Sequence, residues 1–240
     1  MKIKLLVVPI IIGFLICSCT NSRNDIDKAI IEIGKDYGFE VKQVQYFTRP
    51  VAQKNDLEGV QVKVSVTVDS TGVYKDNNEF LLSLFALGEF EMLDSLGLSN
   101  EFDIYNTKCY INEKYTAENE YTREELKQAM EYEMKFDSFI QTVESSDTNH
   151  VYSYLDRQYF ADTTVVNFIH AFSGKNKCGP YIRKLITGFQ FQQYEKTGER
   201  ILRFDKYFIR NEDKAKVSLV FSCNSKKIIS YSYQKTNFCK

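Results

Sequence analysis

Between Tyr181 and Gln234 the chain alternates four strand-like runs with three tight polar turns. The runs are Tyr181–Tyr194, Arg200–Arg210, Lys216–Cys223 and Lys227–Gln234. Lys196-Thr197-Gly198, Asn211-Glu212-Asp213 and Asn224-Ser225-Lys226 separate them. Connections this short cannot carry a crossover to a parallel strand, so successive runs must pair as antiparallel hairpins. Phe189/Phe191, Val217/Leu219/Phe221 and Ile229/Tyr231/Tyr233 recur at every second position and supply one apolar face. A sheet with one apolar face has to be covered, and the residues upstream must provide the cover.

They read as helices. Thr122-Arg123-Glu124-Glu125 matches a capping box, and a helix runs from there to about Val143, with Leu126, Met130, Met134 and Ile140 on its apolar side. Ser145-Ser146-Asp147 breaks it. A second helix is expected from Asn149 to Tyr159 and a third from Thr163 to Phe172. Helices followed by a meander give an α+β class. The element order, with Val151-Tyr152-Ser153-Tyr154-Leu155-Asp156 before the sheet, resembles the NTF2-like or cystatin-like architecture over residues 122–240. That resemblance implies helices packed on a curved antiparallel sheet, with room for a pocket between them.

Residues 24–116 read as an N-terminal α+β domain, a second small domain of similar kind. A helix from Asp25 to Tyr37 carries Ile26, Ala29, Ile30 and Ile33 on one stripe, and Gly38 stops it. A strand spans Val41–Arg49 and ends at Pro50. Val60, Val62, Val64, Val66 and Val68 alternate with polar residues, the pattern of a half-buried strand. A Leu- and Phe-rich helix follows over Asn78–Leu96, closed by Gly97, and then a strand over Phe102–Tyr115. Thr116–Tyr121 is polar and reads as the border between the halves. No internal sequence repeat links them.

At the other end, Lys2 and Lys4 precede an apolar run from Leu5 to Ile16. A spanning helix needs ~20 apolar residues, so this run suits a targeting segment instead. Ile16-Cys17-Ser18-Cys19 resembles the lipobox of bacterial lipoproteins. The resemblance implies a signal peptide over residues 1–18, an acylated Cys19, and a short tether over 19–23. Attachment to a membrane of the cell envelope follows, and Thr20 after the cysteine favours the outer membrane. An uncleaved anchor or an ordinary secretory signal are the other readings, but neither accounts for a Cys directly after the apolar run.

Basic and acidic residues nearly balance, 31 against 32, which argues against nucleic acid as a partner. Outside the targeting segment the chain keeps Cys109, Cys178, Cys223 and Cys239. An even number in an exported chain is compatible with one or two disulfides, the alternative being four free thiols. Their spacing offers no metal site, and no cofactor is expected. Nucleotide loops, zinc-protease signatures and nucleophile elbows are missing from the sequence. His150 and His170 are the only histidines. By the NTF2-like resemblance, His170 with Asp156 would form a general-base pair, with Tyr194, Tyr207 or Tyr231 as donor; a helix-end histidine beside a solvated aspartate is the simpler reading. With 16 Tyr, 18 Phe and no Trp, the aromatic residues read as core before they read as sugar-stacking surfaces. Gly174-Lys175-Asn176-Lys177 reads as a solvated loop. The sequence therefore suggests a non-catalytic protein binding a protein or small-molecule ligand, with an NTF2-like enzyme or an immunity-type protective lipoprotein as alternatives.

Overall fold

The computed structural model describes residues 23–35, 39–52, 58–70, 78–111, 113–172, 183–195, 197–210 and 213–235. It is α+β, with helices packed on sheets, and its two four-stranded sheets belong to two compact units. The first unit takes the residues up to Asn78 together with Gly88–Arg123. The second takes Glu79–Leu87 and the residues from Glu124 onward. In contrast to a single domain over 24–116, Glu79–Leu87 is thus shared out to the second unit. Every residue from Leu82 to Phe90 is buried, the mark of a helix that is not restricted to one apolar stripe.

In the first unit, α1 (residues 23–35) buries Ile26 and Ile30 one turn apart. Strand β1 (Phe39–Ala52) and strand β2 (Glu58–Ser70) form an antiparallel pair. Helix α2 (Asn78–Ser95) then crosses over, so that β3 (Ile104–Ile111) lies parallel to β2. Strand β4 (Lys114–Thr122) returns antiparallel to β3, giving the order β1-β2-β3-β4. Val64, Val66 and Val68 are fully buried, as the alternation requires. On the same face the Tyr46 hydroxyl donates to Asp27 of α1 at 2.6 Å, and the Phe90 ring of α2 meets Tyr105 edge-on at 5.6 Å. Both helices therefore cover that face.

Two boundaries differ from the sequence reading for physical reasons. β1 continues through Pro50 because it is an edge strand, where a missing N–H costs no ladder bond. The polar stretch expected as a border is strand β4. It too is an edge strand, and its exposed pattern needs no dense apolar face.

Gly97 ends α2 as expected. Its φ of +74° carries the chain into a Schellman turn, with Leu98 N–H on Leu93 O at 2.8 Å and Gly97 N–H on Asp94 O at 2.9 Å. Gly34 is needed for space. A Cβ there would stand 2.6 Å from Val41 Cγ2 and 3.1 Å from Phe39 O. Gly34→Ala should therefore destabilise the protein by about 1–3 kcal/mol, although alanine is the better helix former by ~1 kcal/mol. Urea denaturation checks this, and a variant as stable as the parent would contradict the close approach.

In the second unit, α3 (Arg123–Glu144) buries Leu126, Ala129, Tyr132, Phe136, Phe139, Ile140 and Val143. Met134, expected on that side, is 59% exposed; the aromatic stripe Tyr132/Phe136/Phe139 sets the phase instead. Helix α4 (Thr148–Tyr154) is capped by Asp147 and ends early, because Leu155 turns extended and bridges Ile228. A single 3-10 turn (Arg157–Tyr159) leads to α5 (Asp162–Phe172). Strands β5 (Arg183–Gln193), β6 (Arg200–Arg210), β7 (Asp213–Ser222) and β8 (Ile228–Lys235) form the expected antiparallel meander. Phe189, Leu202, Phe204, Phe208, Val217, Leu219 and Phe221 are buried on it. Tyr132 of α3 packs on Phe221 at 5.0 Å, Phe136 on Phe208 at 6.1 Å, and Phe172 of α5 on Phe208 at 5.2 Å. A bulge between Ile186 and Gly188 leaves the Phe189 N–H off the ladder, and Ser83 Oγ accepts it at 2.8 Å. The second sheet is wholly antiparallel, whereas the first contains the parallel β2–β3 pair.

Candidate functional site

The described residues among those singled out from sequence are spread over several elements. Cys19, Cys178, Cys239 and the 174–177 loop lie outside the described residues. Cys109 is buried and Cys223 half-buried, and among the described residues these two cysteines form no disulfide with each other. His170 is solvent-exposed in the last turn of α5. Asp156 caps the 3-10 turn and uses its carboxylate on the Gln158 N–H and side-chain amide, each at 3.4 Å. Tyr231 donates its hydroxyl to Thr164 O at 2.7 Å. Among the described residues, no group of three His, Cys, Asp or Glu side chains converges as metal ligands, and no helix is long and apolar enough to cross a membrane.

A different set of side chains does converge, all within the second unit. An open pocket of about 410 Å³ is lined by Lys135, His150, Ser153, Tyr154, Ser225, Lys226 and Lys227. Lys135 comes from the middle of α3, the next three residues from α4, and the last three from the β7–β8 turn. That turn is locally determined. Ser222 N–H donates to Lys227 O at 2.9 Å, Lys226 N–H to Ser222 O at 3.0 Å, and Ser225 N–H to Ser222 Oγ at 2.9 Å. Closing it puts Lys226 at a φ of +56°, the left-handed region that a β-carbon disfavours. The turn so held presents two consecutive lysines and a serine hydroxyl at the pocket rim.

The charge balance of the pocket is positive. Glu131, on the same helix as Lys135, pairs with Lys135 at 3.0 Å and with Lys226 at 3.3 Å. Its carboxyl is held below the usual range, chiefly by the hydrogen bond from Lys135. Lys227 Nζ donates to the Ser153 carbonyl, an oxygen in the last turn of α4 that the helix leaves free. One carboxylate thus serves two of the three ammonium groups, and a neutral carbonyl serves the third. His150 stacks on Tyr154 at 5.6 Å, with Asp147 Oδ2 4.0 Å from its Nδ1. Ser153 Oγ donates to His150 O at 2.7 Å, and Ser225 Oγ accepts from the Lys227 N–H at 3.4 Å. The arrangement offers point cations and hydroxyls to a small anion. From sequence, only the adjacent Lys226 and Lys227 hinted at it, since the other members are scattered over two helices.

Three buried charged residues also escaped the sequence reading. Lys206 on β6 is 1% exposed, pairs with Glu133 at 3.1 Å and Asp137 at 3.0 Å, and sits 5.1 Å from the Phe136 ring centroid. Asp205, on the opposite face of the strand, takes a bidentate pair from Arg203 at 2.9 and 3.0 Å and Lys216 Nζ at 2.8 Å. Glu89 on α2 is fully buried, and both of its carboxyl oxygens lack a hydrogen-bond partner.

No protein-family model matches the chain, and neither a curated protein nor a solved structure matches it.

Proposed function

We propose that the protein is a lipid-anchored, non-catalytic binding protein of the cell envelope, and that it takes a small ligand at the pocket of α3, α4 and the β7–β8 turn. The observation that carries this reading is the set of three ammonium groups around a space of about 410 Å³, within the size range of small-molecule sites. The hydroxyl arrangement supports binding over turnover. Ser153 and Ser225 engage backbone groups, and neither is hydrogen-bonded to the His150 ring that would have to activate it. The lipobox-like Ile16-Cys17-Ser18-Cys19 supports the anchor, and the helices-then-meander order supports an NTF2-like module.

Membrane fractionation tests the anchor. Cys19→Ala should release the protein from membranes or block its processing; a variant still processed and membrane-bound would end the lipoprotein reading. Thermal stabilisation of the full chain by small anions tests the binding. A stabilising anion should be recovered chemically unchanged, and its effect should shrink in Lys226→Gly. That substitution removes one ammonium while relieving the left-handed backbone at this position, so folding is preserved. Stabilisation indifferent to Lys226→Gly would move the binding elsewhere, and conversion of the anion would overturn the non-catalytic part.

A further inference from the structure

Taking the pocket as a ligand site, as above, we infer that its ligand is a phosphate ester. The donor set is the argument. Lys135, Lys226 and Lys227 are point cations on flexible stems, approaching from a helix and a turn, and among the described residues of the pocket lining there is no guanidinium. A planar carboxylate is best read by the fixed fork of an arginine. A tetrahedral phosphate presents oxygens in several directions, carries up to two charges, and is well served by separate ammonium donors. The hydroxyls of Tyr154 and Ser225 and the imidazole of His150 add neutral donors at the same rim.

Size and charge narrow the class further. About 410 Å³ leaves room for an organic moiety beside the phosphate. Glu131, held between Lys135 and Lys226, is the internal competitor for the ammonium groups that the phosphate would use. Removing its charge should tighten binding, an effect opposite in sign to removal of either lysine. The phosphate can come from a soluble ester or from a phospholipid headgroup, which offers the same group next to the membrane.

Calorimetric titration of the full chain in uncharged detergent tests the inference, with glycerol 3-phosphate as probe and acetate at matched ionic strength as control. The expected result is saturable binding of the ester with at least tenfold preference over acetate. Lys135→Gln and Lys226→Gly should each weaken it about tenfold, and Glu131→Gln should tighten it several-fold. Equal binding of acetate and ester, or lysine variants that bind like the parent, would overturn the phosphate assignment. Citrate separates the two levels of the argument. Saturable, lysine-dependent citrate binding without ester binding would sink the phosphate ester and keep the pocket, whereas binding of neither anion would sink both. Dihexanoyl phosphatidic acid identifies the source: tighter binding than glycerol 3-phosphate indicates a headgroup, weaker binding a soluble ester.

Discussion

Glu89→Gln should make this protein more stable by about 3 kcal/mol at pH 7 and leave it unchanged at pH 4. Burial alone raises the Glu89 carboxyl from 4.5 to about 8, and neither carboxyl oxygen has a hydrogen bond to offset it. The two phenols whose electrostatics couple to it are committed elsewhere. Tyr46 donates to Asp27 at 2.6 Å, and Tyr105 donates to Ser99 O at 3.1 Å. The folded protein therefore holds Glu89 neutral at pH 7, where the unfolded chain would ionise it. The sign follows from a folded value above the unfolded one. Below pH 4.5 the carboxyl is neutral in both states and ionisation adds no penalty, and stability is lost as pH rises from there through about 8. Glutamine keeps the shape and cannot ionise, so the variant escapes that loss. For a protein of this size the gain corresponds to a rise in melting temperature of roughly 6–12 °C. Melting curves of parent and variant at pH 4 and pH 7 decide it. A gain of equal size at both pH values would point to packing, and no gain at pH 7 would mean that Glu89 has a partner.

The reach of sequence reasoning differs between backbone and site. The meander was legible because turns as short as Lys196-Thr197-Gly198 permit only hairpins. Gly97 announced the end of α2 because only a left-handed residue closes that turn cheaply. Strand β4 was missed because an edge strand needs few apolar residues, and the phase of α3 was missed because Met134 is as apolar as the aromatic residues that are buried. The pocket was nearly invisible for a different reason. Its members belong to α3, α4 and the β7–β8 turn, and nothing local to Lys135 or Ser153 records that Lys227 will reach them. The same holds for Glu89, which on α2 reads from sequence as any helix glutamate. Its burial is a property of the packed helix and not of its neighbours in the chain.

Asp205 gives the opposite pH dependence and a loss instead of a gain: Asp205→Ala should cost about 3 kcal/mol at pH 7. The side chain is 3% exposed, and burial pushes its carboxyl upward. Hydrogen bonds from Arg203, Lys216 and Ser218 outweigh that and hold it below its ordinary value. The register explains why they meet. Ser218 lies directly opposite Asp205 on β7, Lys216 is its diagonal neighbour, and Arg203 is on the same face of β6. Charge-assisted hydrogen bonds of this kind contribute about 1.5–3 kcal/mol each. Arg203 and Lys216 remain 36% and 23% exposed, so water would recover part of that in the variant, and the loss stays well short of their sum. Because the folded value lies below the unfolded 3.8, the stabilisation is complete above that pH and is lost as pH falls through the folded value. Urea titrations at pH 7 and pH 2.5 test this. Parent and variant should differ most at pH 7 and converge in acid. A difference independent of pH would assign the effect to lost packing and remove the ion pairs from the account of this sheet.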